Sequence, residues 1–213
     1  MNFSNFQEKV KKILEKTNAV LNGHFVYVSA KHGEKYINKD AIYPHTKEIQ
    51  ELCSMWAKDF ANSGVEVVVG PAMGGVILSH ATASELTKIL KRDIPGVYAE
   101  KTGDGGFDFT RGYGEFVKGK NVLVVEDVLT TGGSVRKVID LTKRAGGKIV
   151  GLGVIANRGG IKAKDIGVKK IDALININFI AMDPKDCTLC KNGVPINTNV
   201  GKGKLFLAGK KIV

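Results

Sequence analysis

The segment from Asn121 to Ser134, NVLVVEDVLTTGGS, constrains the fold more than any other part of the chain. Its apolar run, residues 122–125, is typical of a short strand buried on both faces, as in parallel sheets. Glu126 and Asp127 follow directly, and because buried carboxylates are costly we expect them at an open strand end, facing a ligand. The Thr/Gly/Ser run can then wrap a phosphate as a helix begins. Together these features predict a ribose 5-phosphate site.

The segment resembles the motif that binds phosphoribosyl pyrophosphate (PRPP) in the type I phosphoribosyltransferases, namely hydrophobic residues, two acids and a Thr/Gly/Ser loop. The alternative is an ordinary strand–turn–helix of an α/β fold. The resemblance implies that the acids hold the ribose hydroxyls and that the loop binds the 5-phosphate. It also implies Mg²⁺ as cofactor, with the two acids acting on the metal only indirectly, through PRPP or water. The implied PRPP-binding residues here are Glu126, Asp127, Val128, Leu129, Thr130, Thr131, Gly132, Gly133 and Ser134.

Composition limits the classes of function. With 213 residues, 43% of them hydrophobic, the chain suits one α/β domain, with or without a small appendage. A net charge of +11 attracts anions, either a polyphosphate substrate or nucleic acid. The lysines are scattered and form no basic stripe interleaved with aromatic residues, so we expect no nucleic-acid partner. With no apolar stretch of membrane-spanning length and no signal peptide, we expect a cytoplasmic location and no membrane partner.

Strand-like and helix-like segments alternate along the chain. Strands are predicted at residues 25–29, 65–69, 96–100, 121–125 and 148–155. Helices between them, including one with Ile49, Leu52, Cys53, Trp56 and Phe60 on its apolar face, indicate a parallel, doubly wound sheet flanked by helices. We expect a single phosphoribosyltransferase domain over residues 1–213. Its core would span about 44–160, and residues 1–43 and 161–213 would form a small cap, or hood.

A second glycine-rich turn, residues 70–75, also joins a predicted strand to a helix. Glycines let the backbone approach an anion, and a helix N-terminus favours negative charge. The turn resembles the pyrophosphate loop of the same family, particularly of its orotate phosphoribosyltransferase branch. The resemblance implies that Met73, Gly74 and Gly75 bind PRPP.

The loop over residues 101–115 is longer than the other connections and rich in glycine, as lids often are. In the orotate branch the corresponding loop closes over pyrophosphate, commonly in the neighbouring subunit's site, which implies a homodimer with shared lids. Lys101 matches the first lysine of that loop, while the later lysine and histidine have no counterpart. Arg111 is a conceivable substitute. The alternative is a solvated hairpin.

Two further segments resemble base-recognition elements of the orotate branch. Tyr36 and Ile37 match positions whose backbone meets the pyrimidine edge. Arg158 follows the fifth strand, where a guanidinium could grip a planar carboxylate, although Asn157 stands where the family usually has an acid. Thr130 matches a position that reaches the base as well as the phosphate. His32, in the same segment as Tyr36, is expected to be exposed and structural.

The three cysteines do not make a disulfide framework. Cys53 falls on the apolar face of a predicted helix and is expected to pack there. Cys187 and Cys190, in the sequence CTLCKNG, resemble half of a zinc knuckle. The sequence shows neither a second CxxC nor a matching histidine pair, so a turn with two buried thiols is the preferred interpretation.

The implied reaction transfers ribose 5-phosphate from PRPP to a base nitrogen and releases pyrophosphate, with Lys101 and Asp127 as catalytic residues. The resemblance favours orotate as the base, which gives orotidine 5′-monophosphate in pyrimidine synthesis. Two alternatives stay open. One is a purine or another base, given the shortened lid, and the other is a regulator that keeps the PRPP site only as a sensor.

Overall fold

The computed structural model describes residues 3–212, which divide into two compact units. The first contains residues up to Lys11 and Tyr43–Ile177, and the second contains Lys12–Ile42 and the segment from Asn178 onward. The helices are α1 (Phe3–Lys16), α2 (Thr46–Phe60), α3 (Gly74–Leu90), α4 (Gly114–Val117), α5 (Gly133–Arg144), α6 (Thr188–Lys191) and α7 (Gly203–Leu207). The strands are β1 (Val20–Val26), β2 (His32–Ile37), β3 (Val67–Pro71), β4 (Gly96–Lys101), β5 (Phe107–Asp108), β6 (Asn121–Leu129), β7 (Lys148–Asn157) and β8 (Ile171–Asn176).

The first unit is built on a six-stranded sheet in the order β5-β4-β3-β6-β7-β8. Every neighbouring pair is parallel except β4 and β5. The chain passes from β3 to β4 on one side and then to β6 on the other. Ligands bind at such a switch point, outside the carboxyl ends of the strands. The predicted doubly wound parallel sheet is confirmed.

Helices cover both faces of this sheet because successive side chains of a strand point to opposite faces. On one face, Val138 and Ile139 of α5 pack with Leu152 and Val154 of β7. On the other face Trp56 of α2 lies against β7, where a Cβ at Gly153 would come within 2.9 Å of its ring. The predicted apolar face of α2 is confirmed, and Cys53 is buried there.

Two local predictions need correction. Strand β6 continues through Glu126 and Asp127 to Leu129, so the two acids lie within the strand rather than after its end. The predicted strand over residues 25–29 is instead the end of β1, which begins at Val20. The hairpin given as the alternative for residues 101–115 is present in part, since Lys101 of β4 pairs with Phe107 of the antiparallel strand β5.

The second unit contains the antiparallel β1–β2 hairpin, and residues of the C-terminal segment form bridges to it. His24 forms a parallel bridge with Ile196, and His32 forms an antiparallel bridge with Met182. His32, expected to be exposed, is fully buried. Cys187 is buried as predicted, but Cys190 is exposed. Within residues 3–212 no helix is long and apolar enough to span a bilayer.

Candidate active site

The paired acids of β6 are buried but anchored by backbone amides. Glu126 is 8% exposed and Asp127 4% exposed. The Asp127 N–H donates to Oε1 of Glu126 at 2.9 Å, and the Val128 N–H donates to Oδ1 of Asp127 at 2.6 Å. Hydrogen bonds of this kind offset the cost of burying carboxylates, which explains how both acids can lie inside the strand.

Tyr43, which the sequence analysis missed, completes the surroundings of Asp127. Its hydroxyl donates to Oδ2 of Asp127 at 2.6 Å. A Cβ at Gly74 would collide with both the Tyr43 hydroxyl and the Asp127 carboxylate, so only glycine fits there without displacement. Tyr43 precedes α2 in a Tyr-Pro pair that matches no phosphate or ribose motif, and no sequence signal links it to Asp127.

The turn between β3 and α3 brings backbone close to backbone. A Cβ at Gly70 would collide with the backbone of Gly75, and a Cβ at Gly75 with that of Gly70. The peptide bond between Ala72 and Met73 is cis, and α3 begins at Gly74. The first amides of a helix have no intrahelical acceptor. Because β3 and β6 are parallel neighbours, this turn and the paired acids belong to the same edge of the sheet.

The loop after β6 leads directly into α5. Thr130 and Thr131 are exposed, and Gly132 adopts a φ of 76°, a left-handed conformation that favours glycine. The Gly133 N–H donates to Oγ1 of Thr131 at 3.4 Å, and α5 begins at Gly133. The loop therefore presents hydroxyls and helix-start amides together, as an anion-binding loop does.

The backbone of Arg158 lies beside that of Thr130. The N–H groups of Arg158 and Gly159 donate to the carbonyl oxygen of Leu129 at 2.9 and 3.0 Å. A Cβ at Gly159 would collide with the Thr130 carbonyl oxygen. Thr130 and Arg158, two of the four predicted base-binding residues, therefore lie together. The other two, Tyr36 and Ile37, lie on β2 in the second unit.

Asn157, which stands where the family usually has an acid, holds the loop that carries Arg158. Its amide Nδ2 donates to the Ile161 carbonyl oxygen at 2.9 Å, and its Oδ1 accepts from the Ile161 N–H at 3.1 Å. An ionised aspartate could only accept, so the amide makes one more hydrogen bond at this position.

The hairpin of β4 and β5 carries the candidate lid residues. Lys101 ends β4 and is exposed. Arg111, considered as a substitute lid cation, forms an ion pair with Glu100, with Nε 3.3 Å from Oε1. A hydrogen bond from Thr110 and then one from Arg111 lower the pKa of Glu100. At the tip, Nζ of Lys137 in α5 donates to the Gly105 carbonyl oxygen at 2.6 Å.

Comparisons with known proteins agree with this geometry. The family described as phosphoribosyl transferase domain matches residues 38–186. An orotate phosphoribosyltransferase of Pelotomaculum thermopropionicum is 38% identical over 89% of this chain and 94% of its own length. The enzyme of that name from Thermotoga maritima is 40% identical over 91% of this chain and 98% of its own.

Solved structures show the same fold. The orotate phosphoribosyltransferase of Mycobacterium tuberculosis in complex with Fe(III) dicitrate superposes with a TM-score of 0.63 at 20% identity, covering 82% of this chain and 96% of that one. A structure of the same enzyme with PRPP gives a TM-score of 0.59 at 19% identity, covering 83% and 92%.

Proposed function

The chain belongs to the phosphoribosyltransferase family, and we propose that it transfers ribose 5-phosphate from PRPP to orotate in pyrimidine synthesis. The products are orotidine 5′-monophosphate and pyrophosphate. The observation that carries this proposal is the placement of two acids and two anion-binding loops on neighbouring parallel strands β3 and β6. Relatives that bear the orotate name, at 38% and 40% identity over about nine-tenths of the chain, favour this base.

The β6 half of the site binds the ribose 5-phosphate. Glu126 and Asp127 accept hydrogen bonds from the ribose hydroxyls, while the hydroxyls of Thr130, Thr131 and Ser134 and the first amides of α5 bind the phosphate. Tyr43 and the Val128 amide hold the Asp127 carboxylate in one orientation. An acceptor whose orientation is fixed before binding costs less to order when the ligand arrives.

The β3 half of the site binds the pyrophosphate that leaves. Amides of Met73, Gly74 and Gly75 at the start of α3 meet its oxygens, and the exposed ammonium of Lys101 adds positive charge. The glycosidic bond breaks through an oxocarbenium-like transition state, so stabilising the leaving group accelerates the reaction. The reaction is also accelerated by holding the base nitrogen in line with the breaking glycosidic bond.

The residues present fit Mg²⁺, since carboxylate oxygens suit a hard cation that keeps several of its waters. Glu126 and Asp127 would hold the ion through water or through PRPP. When bound, the metal would neutralise negative charge on the departing pyrophosphate.

Arg158 and Thr130 bind the base. A guanidinium is planar and can donate two parallel hydrogen bonds to the orotate carboxylate, which distinguishes orotate from uncharged bases. The backbone hydrogen bonds of Arg158 and Gly159 to Leu129 keep this residue at the loop that holds the phosphate.

The protein works as a cytoplasmic homodimer in which each hairpin of β4 and β5 acts on the neighbouring subunit's site. Sedimentation with and without PRPP tests the dimer. Mixed dimers of one Lys101→Ala protomer and one Glu126→Ala protomer test the shared lid, because half of their sites would be intact and would retain activity.

The PRPP assignment is tested by binding rather than turnover. In calorimetry with PRPP and Mg²⁺, the Glu126→Gln, Asp127→Asn double variant should bind PRPP at least ~10-fold more weakly than the wild type. The Asp140→Asn variant, altered at an exposed position on α5, is the matched control and should bind normally. Equal affinity in the double variant would refute the assignment.

A further inference from the structure

The second unit contains a cluster of four metal-ligating side chains that the phosphoribosyl reaction does not use. His24 and His32 come from the β1–β2 hairpin. Cys187 immediately precedes α6, and Cys190 lies within it. One ligand atom from each of the four lies within 4.8 Å of the other three. Three of the four residues are buried, and Cys190 is exposed.

The distances between sulfur and nitrogen fit a tetrahedral site. The relevant separations are those between the cysteine sulfurs and the histidine ring nitrogens. Nε2 of His24 lies 3.6 Å from Sγ of Cys187 and 3.7 Å from Sγ of Cys190, and Nδ1 of His32 lies 3.4 Å from Sγ of Cys190. Zn–S and Zn–N bonds at tetrahedral angles place sulfur and nitrogen about 3.6 Å apart.

The two ring nitrogens are 2.8 Å apart, within hydrogen-bond distance. A tetrahedral zinc ion requires about 3.3 Å between such nitrogens, so metal binding would separate the rings by about 0.5 Å. A histidine–histidine hydrogen bond is therefore the competing explanation of the cluster, and the experiment below distinguishes the two.

The ring of His24 is oriented as a metal ligand requires. Its Nδ1 lies 2.8 Å from the carbonyl oxygen of Val194, which can only accept, so Nδ1 carries the proton. In the neutral ring, Nε2 then keeps its lone pair and directs it at the cluster. Hydrogen bonds of this kind to the second nitrogen accompany almost all zinc-bound histidines.

Backbone hydrogen bonds hold the segments that carry the four ligands next to one another. The His32 N–H and carbonyl each bond to Met182 at 2.8 Å, and the Asn197 N–H donates to the His24 carbonyl at 2.7 Å. The Lys191 N–H donates to the Cys187 carbonyl at 3.2 Å, closing the CxxC turn. The four ligand atoms therefore converge without rearrangement of the backbone.

From this geometry we propose that His24, His32, Cys187 and Cys190 form a structural Zn²⁺ site. Two thiolates and two imidazoles suit zinc and exclude the hard cation Mg²⁺, which takes oxygen ligands. Four protein ligands fill a tetrahedral shell and leave no position for substrate, so the role is structural rather than catalytic. The ion joins the hairpin to a segment 163 residues later in the chain, counted from His24 to Cys187.

The expected consequence is stability of the second unit that depends on the metal. A small unit with a limited core gains folding free energy from a metal that binds only the folded state. Zinc content and unfolding do not depend on the base that the enzyme uses, so both can be measured without turnover.

The test is metal analysis of the full-length protein purified without chelator. We expect about one zinc per chain by mass spectrometry, and replacement by Co²⁺ should give the visible bands of a tetrahedral thiolate complex. The Cys187→Ser, Cys190→Ser double variant should lose both signals. The Cys53→Ala variant removes the third thiol, which lies buried in the first unit, and should keep them.

A second measurement on the wild type covers the case in which the double variant does not fold. Chelation should lower the thermal midpoint, Zn²⁺ should restore it and Mg²⁺ should not. Titration of the thiols with a mercurial should release one zinc per chain. Absence of zinc and of the cobalt bands, or zinc retained equally by the double variant, would overturn the proposal in favour of a hydrogen-bonded cluster.

Discussion

The hydroxyl of Tyr43 donates a hydrogen bond to Oδ2 of Asp127 at 2.6 Å, linking the segment before α2 to the acid pair of β6. The Val128 amide binds the other oxygen of the same carboxylate. Asp127 is thus fixed from two sides before any ligand binds.

Removing the Tyr43 hydroxyl should therefore weaken PRPP use. A hydrogen bond to a charged group contributes about 1.5–3 kcal/mol, so we expect Tyr43→Phe to lower kcat/KM for PRPP by about 10-fold or more. Steady-state kinetics with varied PRPP measures this. Tyr27→Phe is the matched control, because the Tyr27 hydroxyl also makes a 2.6 Å hydrogen bond, to the Lys35 carbonyl in the second unit. Unchanged kinetics in Tyr43→Phe would contradict the positioning role.

A methyl group at Gly74 should be tolerated poorly. Its Cβ would overlap the Tyr43 hydroxyl and the Asp127 carboxylate, so the turn must shift where the pyrophosphate binds. We expect Gly74→Ala to cost about 1–3 kcal/mol of unfolding free energy and to weaken PRPP binding, measured by denaturant titration and calorimetry. Gly103→Ala in the hairpin is the control, since a Cβ there meets no atom within 4 Å. Equal behaviour of the two variants would show that the tight contact has no functional role.

Substitution at Arg158 should separate base binding from PRPP binding. Loss of a paired guanidinium should raise KM for orotate about 10- to 100-fold, while KM for PRPP changes little. Arg158→Lys should recover only part of the loss, because an ammonium cannot donate two parallel hydrogen bonds. Arg144→Ala, at an exposed position in the last turn of α5, is the control. A matching rise in both KM values would place Arg158 outside the base site.

Stability should depend on pH through Asp172 of β8. Burial and the neighbouring carboxyl of Asp59 raise the pKa of Asp172 from its ordinary 3.8 to about 7. The folded state then binds more protons than the unfolded state between these values, so the free energy of unfolding falls as pH rises through that window.

The Asp172→Asn variant should be more stable than the wild type at pH 8 by about 1 kcal/mol, since solvent screening reduces the effect at a partly exposed group. The difference should shrink towards pH 5, where the native carboxyl is protonated. Urea titrations at the two pH values measure it, with Asp140→Asn as control. A difference that is constant with pH would rule out titration of Asp172 as its cause.

Those parts of the fold and site that depend on short stretches of sequence were predictable. The apolar run 122–125 indicates a doubly buried strand, and all four residues are fully buried in β6. The glycine-rich turns after β3 and β6 were predictable because each belongs to a short phosphate-binding motif. Here neighbouring residues in the sequence determine the structure.

The missed features depend on residues far apart in the chain. Tyr43 and Asp127 are separated by 84 residues, and His32 and Cys190 by 158. Neither histidine shows metal-ligand spacing to the CxxC pair, so the four ligands come together only through the bridges of the β1–β2 hairpin to the C-terminal segment. Burial of Asp127 within β6 was also unexpected, and one of its hydrogen-bond partners, the Tyr43 hydroxyl, is likewise distant in the chain.

Product analysis shows directly whether orotate is the base that accepts the ribose 5-phosphate. The protein would be incubated with PRPP and Mg²⁺ and with orotate, hypoxanthine or adenine in separate reactions, and nucleotide and pyrophosphate would be quantified. We expect orotidine 5′-monophosphate and pyrophosphate in equal amounts from orotate, with no comparable product from either purine. Turnover of hypoxanthine or adenine without turnover of orotate would contradict it.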